Sequence, residues 1–293
     1  MTVFARLQAL IMAFILTQLC LPITQLPSLD AAEDAVSHNL TVMSYNVYTT
    51  GVGEHSPKNR APRVAAIISS VMPDSFGVQE ANYEWLMMLS EELPQYSFVG
   101  IGRNQNGKGE SSAVFYLTEK YDLVESDTFW LSATPEKESK GWGALFKRIS
   151  TYAVLRDKAT NFQYVHFNTH LDNMSEWARI NSVAVISQKA SQFNMPLVLT
   201  GDMNTKESSR SYDRFLEIGL TDLRKAADRA DEGITYHGYM KQKDINKGLP
   251  IDYIFANSYL LHVESFSIIT EKIDGIYPSD HFPISASFSF AGD

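Results

Sequence analysis

Cysteine is all but missing from this chain of 293 residues: Cys20 is the only one. With no second thiol there is neither an internal disulfide framework nor a Cys-based zinc site. Positive charge is also short, 25 Lys and Arg against 34 Asp and Glu, a formal net charge of -9. A protein that lives by nonspecific grip on nucleic acid is usually basic, because that affinity comes from neutralising phosphates. An enzyme that binds its substrate briefly is still allowed. The chain has no His-Glu-x-x-His zinc helix, no Gly-x-Ser-x-Gly elbow and no phosphate loop ending in Gly-Lys-Ser/Thr. No Gly/Ser-rich linker, low-complexity tract or internal repeat divides it. The remainder is ordinary globular composition, 44% hydrophobic and 20% charged with 16 Gly and 11 Pro.

The one long apolar run is Leu7 to Leu21, uncharged and closed by Pro22 and Pro27. It reads as the apolar region of an export signal, too short and too flanked by proline for a secure membrane span. Asp30-Ala31-Ala32 offers a cleavage site near Ala32, and an uncleaved N-terminal anchor is the alternative. Leu19 before Cys20 departs from the small-residue pattern of a lipoprotein site. The expectation is a secreted or extracytoplasmic protein, with residues 1–32 as signal or anchor, 33–39 as a short linker and 40–293 as one domain.

Within that domain short β-rich runs alternate with helical segments. Leu40 to Tyr48, Ser75 to Gln79, Ser112 to Leu117, Thr151 to Arg156, Tyr164 to Thr169, Leu197 to Thr200, Ile251 to Ala256, His262 to Thr270 and Pro283 to Phe290 read as strands. Arg63 to Met72, Tyr83 to Leu93 and a Ser175-capped segment to about Phe193 read as helices. The polar stretch Asp157 to Asn161 predicts a hairpin between two of the strands. Strands dominate both halves, so a mixed α/β sheet system with helices outside it is favoured over a simple parallel sheet.

Polar residues recur at the ends of these strands, where α/β enzymes place their chemistry. Five places stand out: Ser44-Tyr45-Asn46, Gln79-Glu80, Asn168-Thr169-His170-Leu171-Asp172, Gly201-Asp202-Met203-Asn204, and Asp252 together with Ser279-Asp280-His281. Taken singly, each has an ordinary explanation as a turn or cap. The isolated histidines His38, His55, His166, His237 and His262 read as structural.

In combination and in order, the five motifs resemble the endonuclease/exonuclease/phosphatase superfamily of metal-dependent phosphoesterases, over Leu40 to Phe290. The resemblance implies a two-sheet α/β sandwich with helices on its outer faces and a site at one edge. It assigns Glu80 as principal ligand of a Mg²⁺ or Mn²⁺ ion, with Asn46 beside it and Asp280 as a further carboxylate on the metal side. Asp202 and Asn204 correspond to the pair that positions or deprotonates water. Asp252 corresponds to the carboxylate that orients His281, and His170 to a second phosphate-binding imidazole.

For the substrate, the stretch Gly102-Arg103 to Gly109-Glu110 resembles a variant found in exported bacterial members of the superfamily, which implies that the Arg and the Gly-Glu turn flank the phosphate site, with Arg103 as a clamp and Tyr116 as a phenol donor. Trp130 and Trp142 are candidates to stack on a base or sugar. Arg179 is placed to reach the His170 loop. Nucleic acid or a nucleotide is the favoured substrate, with a monomer and no membrane insertion beyond the N-terminal segment. A sphingomyelinase-like lipid diesterase, a sugar- or inositol-phosphate phosphatase drawing on Lys241, Lys243 and Lys247, and an exported phospholigand-binding pseudoenzyme are the alternatives.

Overall fold

The computed structural model describes residues 37–239, 244–245 and 248–291. The apolar N-terminal run, Cys20, the residues around Ala32 and the lysines Lys241, Lys243 and Lys247 lie outside the described residues.

In chain order the elements are β1 (Ser37–Asn46), α1 (Pro57–Val71), β2 (Ser75–Ala81), α2 (Tyr83–Glu92), β3 (Tyr96–Val99), β4 (Gly102–Asn104), β5 (Lys108–Leu117), β6 (Tyr121–Trp130), β7 (Ile149–Asp157) and β8 (Gln163–His170). There follow α3 (Glu176–Ala190), β9 (Leu197–Asp202), α4 (Arg210–Glu217), β10 (Thr221–Asp222), α5 (Leu223–Ala226), β11 (Arg229–Ala230), β12 (Asp252–Ala256), β13 (Leu260–Ile268) and β14 (Ile284–Ala291). They build two mixed sheets, one in the order β11-β13-β14-β1-β2-β5-β3 with β4 beside β5, the other β10-β12-β9-β8-β7-β6.

Side chains alternate across a strand, and here the two sides have different partners. Val42, Val114, Val198 and Ile254 face inward and pack between the sheets. Their neighbours Met43 and Tyr45 face outward beneath α1 and α2, and Phe167, Leu199 and Phe255 face outward beneath α3 and α4. The result is helices, sheet, sheet, helices, the α/β sandwich that the motif order implies. Gly77 is where the layers come closest: a Cβ there would lie 2.3 Å from Thr200 Oγ1 and 2.4 Å from Asn168 Cγ.

Several local expectations hold. Ser175 accepts from the Ala178 amide and caps α3. The turn at Asp157 joins β7 to β8, its carboxylate accepting the Ala159 and Thr160 amides. Others change. Helix α1 starts at Pro57, upstream of Arg63, because Pro57 occupies the first turn, where a missing N–H costs nothing, and Pro62 is accommodated inside. Strand β6 escapes the periodicity because it is an edge strand, exposed from Leu123 to Asp127. Among the described residues no helix is long and apolar enough to cross a membrane.

Candidate active site

The inward alternation that packs valine between the sheets also carries the polar motifs. On β1 the inward positions run Val42, Ser44, Asn46, and on β8 Tyr164, His166, Asn168, His170. On β9 they run Val198, Thr200, Asp202, and Asp252 opens β12 directly opposite Asp202. Parallel pairing of β8 with β9 puts His170 beside Asp202. Moving toward one edge, the inter-sheet layer changes from aliphatic to hydrogen-bonded to charged. The middle zone is held by hydrogen bonds between the sheets: His166 sits between Ser75 Oγ at 2.8 Å and Thr200 Oγ1 at 2.9 Å, and Gln79 Nε2 donates to Asn168 Oδ1 at 2.7 Å. Burial alone holds the His166 imidazole neutral, its pKa pushed down to about 3.

The charged zone opens into a cleft of about 350 Å³ lined by Glu80, Arg103, Arg148, His170, Asp202, Asn204, Asp280 and His281, with Tyr48, Phe146 and Tyr236 at its walls. Glu80 stands at φ 63°, a left-handed conformation unusual for a non-glycine residue, at an irregularity where β2 slips against β5 between Gln79 and Ala81. The kink turns Glu80 out of the strand's alternation, and its two oxygens accept from the Asn46 amide at 3.1 Å and the Thr49 backbone at 3.1 Å. Asn46 also donates to Asp202 Oδ2 at 3.0 Å. Asn204, at φ 47°, receives its shape from Asp202 Oδ1, which accepts the Asn204 amide at 3.0 Å.

Behind the cleft Asp252 Oδ2 lies 2.9 Å from His281 Nδ1, while His281 Nε2 lies 3.7 Å and His170 Nε2 3.5 Å from Asp202 Oδ2. Burial works against charging His281, but the Asp252 carboxylate and its hydrogen bond, with Asp202 and Asp280, raise its pKa far above the ordinary imidazole value. His170 goes the other way, held well below that value by burial and by Arg148 and Arg103. The Asp202 carboxyl is pushed up by burial and then by the Asp252 charge. The site thus holds a charged imidazole, a neutral imidazole and a carboxylate of raised basicity side by side.

Among the described residues around the cleft, two groupings of donor atoms are to be weighed as a place for a cation. Asp202, Asp252 and His281 bring three within 4.8 Å of one another, all buried. In that group the imidazole Nδ1 is engaged by Asp252, and a charged imidazole has no lone pair to offer, so the chain suits proton handling better than ligation. Glu80 and Asp280 fit a hard divalent ion: both line the cleft, Asp280 Oδ1 is buried without a hydrogen-bond partner, and burial and the Glu80 charge raise the Asp280 carboxyl.

Arg60, which the sequence does not single out, organises this wall. Fully buried, it donates to the carbonyls of Val47, Tyr48, Thr50, His55 and Pro278. It thereby ties the loop after β1, which carries the Thr49 amide, to the turn that carries Asp280.

The substrate-side expectations fare unevenly. Arg103 lines the cleft, paired with Glu110 at 2.9 Å. Tyr116 does not: it pairs with Ser75, at the opposite end of β2 from Glu80, and packs against the inter-sheet core. Trp130 gives its indole N–H to the Arg103 carbonyl at 3.0 Å and supports that residue from behind, and Trp142 packs on the core beneath α3. Neither indole lines the cleft. Arg179 donates to the Asp172 carbonyl at 2.7 Å, bracing the loop after His170 without entering the cleft. The residues missed are Arg148, buried with its Nη1 unpartnered, and Phe146, whose ring lies 4.9 Å from the Arg103 guanidinium and 5.7 Å from that of Arg148. A lone Lys-Arg pair before a strand gives no periodic signal; only the loop's return to the His170 edge brings Arg148 in.

A family profile described as the Endonuclease/Exonuclease/phosphatase family matches residues 43–281. A solved structure of an endonuclease/exonuclease/phosphatase family protein from Bacteroides thetaiotaomicron is 32% identical with a TM-score of 0.83, covering 88% of this chain and 100% of that one. The mannosyl-6-phosphatase of Bacteroides thetaiotaomicron VPI-5482 is 33% identical with a TM-score of 0.79, covering 84% and 98%. The Ccr4 subunit of the CCR4-Not complex of Yarrowia lipolytica, a 3'-5'-exoribonuclease, is 24% identical over 87% of this chain and 48% of its own length.

Proposed function

The chain belongs to the endonuclease/exonuclease/phosphatase family and is a metal-dependent phosphoester hydrolase, and within that class we propose that it removes the terminal phosphate from a small phosphomonoester of the sugar-phosphate kind. The observation that carries this reading is the pair of arginines, Arg103 and Arg148, lining one cleft with the imidazoles of His170 and His281. A terminal phosphate carries close to two negative charges at neutral pH and an internal diester only one. Arg148, unpartnered at Nη1, and Arg103, partly offset by Glu110, add to a divalent cation in matching the higher charge. The likeness to a mannosyl-6-phosphatase, 33% identical, supports it. A preference for nucleic acid leans on Trp130 and Trp142 as stacking surfaces, and both are engaged elsewhere.

Glu80 and Asp280, with Asn46 beside them, are the residues that would hold Mg²⁺ or Mn²⁺, and the ion supplies charge neutralisation at the phosphate and its leaving oxygen. Arg103, Arg148 and the neutral His170 orient the phosphate. His281, charged and steered by Asp252, contacts a phosphoryl oxygen. Asp202, whose raised basicity suits it to accept a proton near neutral pH, takes that proton from the attacking water, and Asn204 fixes the water's position. Residues 1–32 act as export signal or anchor in this proposal; cell fractionation of the tagged full chain tests that point.

The catalytic test is hydrolysis with Mg²⁺, Mn²⁺ or EDTA, read as phosphate from hexose 6-phosphates and nucleoside monophosphates, as p-nitrophenol from bis-p-nitrophenyl phosphate, as shortened fragments from an oligonucleotide and as phosphocholine from sphingomyelin. Hexose phosphates are expected to give the highest kcat/KM, and Arg148→Ala to lower it at least about tenfold more for monoesters than for the diester. Faster cleavage of the oligonucleotide or of sphingomyelin overturns the monoester reading.

A further inference from the structure

Beside the cleft the chain displays four large apolar side chains to solvent. Leu145 is 53% exposed, Phe146 44%, Met174 72% and Trp177 54%. They come from two segments, the loop before β7 and the start of α3, and one buried carboxylate fastens the two together. Asp172 Oδ2 accepts the Leu145 amide at 2.9 Å, and Oδ1 accepts the Met174 amide at 3.1 Å and the Ser175 amide at 2.8 Å. Ser175 Oγ adds a bond to the Trp142 carbonyl at 3.3 Å. A carboxylate with no exposure has thus been committed to holding apolar residues in water, where each loses the free energy that burial would provide.

The display is continuous with the cleft. Phe146 and Asn173 line the cleft, and each is a chain neighbour of a residue of the display, Leu145 in one segment and Met174 in the other. The Arg103 and Arg148 guanidiniums both lie over the Phe146 ring, 4.9 and 5.7 Å from its centroid. Phe146 belongs to both cleft and display, as a wall of the cleft and as one of the exposed apolar side chains.

We propose that these residues form a second subsite, taking the next sugar ring of a phosphorylated oligosaccharide by its C–H face. The assignment rests on the monoester reading above and deepens it. A ring is favoured over a lipid surface because Phe146 joins the display to the cleft that takes the phosphate, so one small substrate reaches both. Indole and phenyl faces beside aliphatic side chains suit the C–H face of a sugar, and Asn173 at the cleft edge offers an amide for its hydroxyls.

The test compares mannose 6-phosphate with an α-linked mannobiose phosphorylated at the 6-position of its non-reducing ring. Wild type is expected to prefer the disaccharide about tenfold in kcat/KM, as burying one more ring face predicts, and Trp177→Ala and Met174→Ser to lower that ratio toward one. Leu261→Ala, an exposed change on β13, next to the edge strand β11 of the other sheet, keeps the wild-type ratio. Saturation-transfer NMR with unphosphorylated mannotriose reads the subsite without hydrolysis, through contacts to sugar C–H protons that Trp177→Ala removes. If neither phosphate is hydrolysed while those contacts persist, the monoester reading falls and the subsite stands. A wild-type ratio of one, or a ratio and contacts unchanged in Trp177→Ala, removes the subsite and leaves the monoester reading intact. Pelleting with phosphatidylcholine and phosphatidylglycerol vesicles that Trp177→Ala abolishes overturns the sugar assignment in favour of a lipid surface.

Discussion

Asp252 holds Nδ1 of His281 at 2.9 Å from behind the cleft, and its own second oxygen, Oδ1, is buried without a partner. The carboxylate thus spends its side-chain hydrogen bond on the imidazole: it fixes the ring's orientation and is the largest of the charges that keep it protonated. Replacing Asp252 by Asn leaves the ring free to lose its proton, and replacing His281 by Gln leaves a buried carboxylate with nothing to steer. Each change is expected to lower kcat by about a hundredfold or more, and the double variant to lose little beyond either single one, because the two act as a unit. Steady-state phosphate release checks this; losses that multiply would mean that the residues work independently.

Arg60 makes a different kind of contribution. Its five carbonyl acceptors include Val47, Tyr48 and Thr50 on one side of the metal wall and Pro278 on the other. Arg60→Met abandons all of them in a buried environment, and the expected cost is about 2–4 kcal/mol of stability, read from urea unfolding. The Thr49 amide loses its aim at Glu80 with it, so the stabilisation that Mn²⁺ confers in a thermal shift should shrink as well. Arg60→Lys, with three donors and no planar fork, should recover only part of either. Unchanged Mn²⁺ stabilisation in the folded variant would show that Arg60 supports the fold alone.

The contrast between Arg60 and Glu80 explains what sequence reading reaches. Glu80, Asp202, Asp252 and His281 lie at strand ends in a fixed order, and strand ends are recognisable from alternation. Their convergence then follows from pairing, as Asp252 opposite Asp202 illustrates. Arg60 lies in the first turns of a helix that hydrophobic spacing begins to mark only after Pro62, and its acceptors are carbonyls, which have no signature in sequence. Arg148 and Phe146 belong to a loop whose path is decided by the Asp172 clamp some 26 residues later. Trp130 and Trp142 were legible as residues near the site but not in their direction: the first spends its N–H on Arg103, and the second turns into the core at φ 45°.

Acid sensitivity should trace in part to His166. Its folded pKa is about 3 against an ordinary value near 6.5, so between those values the unfolded chain takes up a proton that the folded chain refuses. The stability it contributes is fully present above about pH 6.5 and falls as the pH is lowered toward 3, by about 1.4 kcal/mol per pH unit. Raised carboxyls such as Asp202 and Asp222 act with the opposite sign, so the informative quantity is a difference. Between pH 7.5 and 5.0 wild type is expected to lose about 2 kcal/mol more than His166→Gln, from urea midpoints. Parallel profiles would mean that the folded chain takes up the proton as readily as the unfolded one, so that burial does not hold His166 neutral.

Glu80→Gln joins the metal to the fold. Glu80 and Asp280 face one cleft, and the Glu80 charge helps to raise the Asp280 carboxyl, so two like charges are held together where burial already disfavours them. Such an arrangement weakens the protein until a cation shares the site. Removing the Glu80 charge should therefore move stability and activity in opposite directions. In EDTA the variant is expected to unfold at higher urea than wild type, although its amide cannot accept from Asn46 and Thr49 as two carboxylate oxygens do. With Mn²⁺ present the order should reverse, because wild type gains the binding free energy and the variant gains little. Turnover should fall by about a hundredfold or more at saturating metal, since no neighbouring group replaces the lost charge at the phosphate. Full Mn²⁺ stabilisation together with full turnover in Glu80→Gln would place the ion elsewhere, with the Asp202, Asp252 and His281 group the next position to examine.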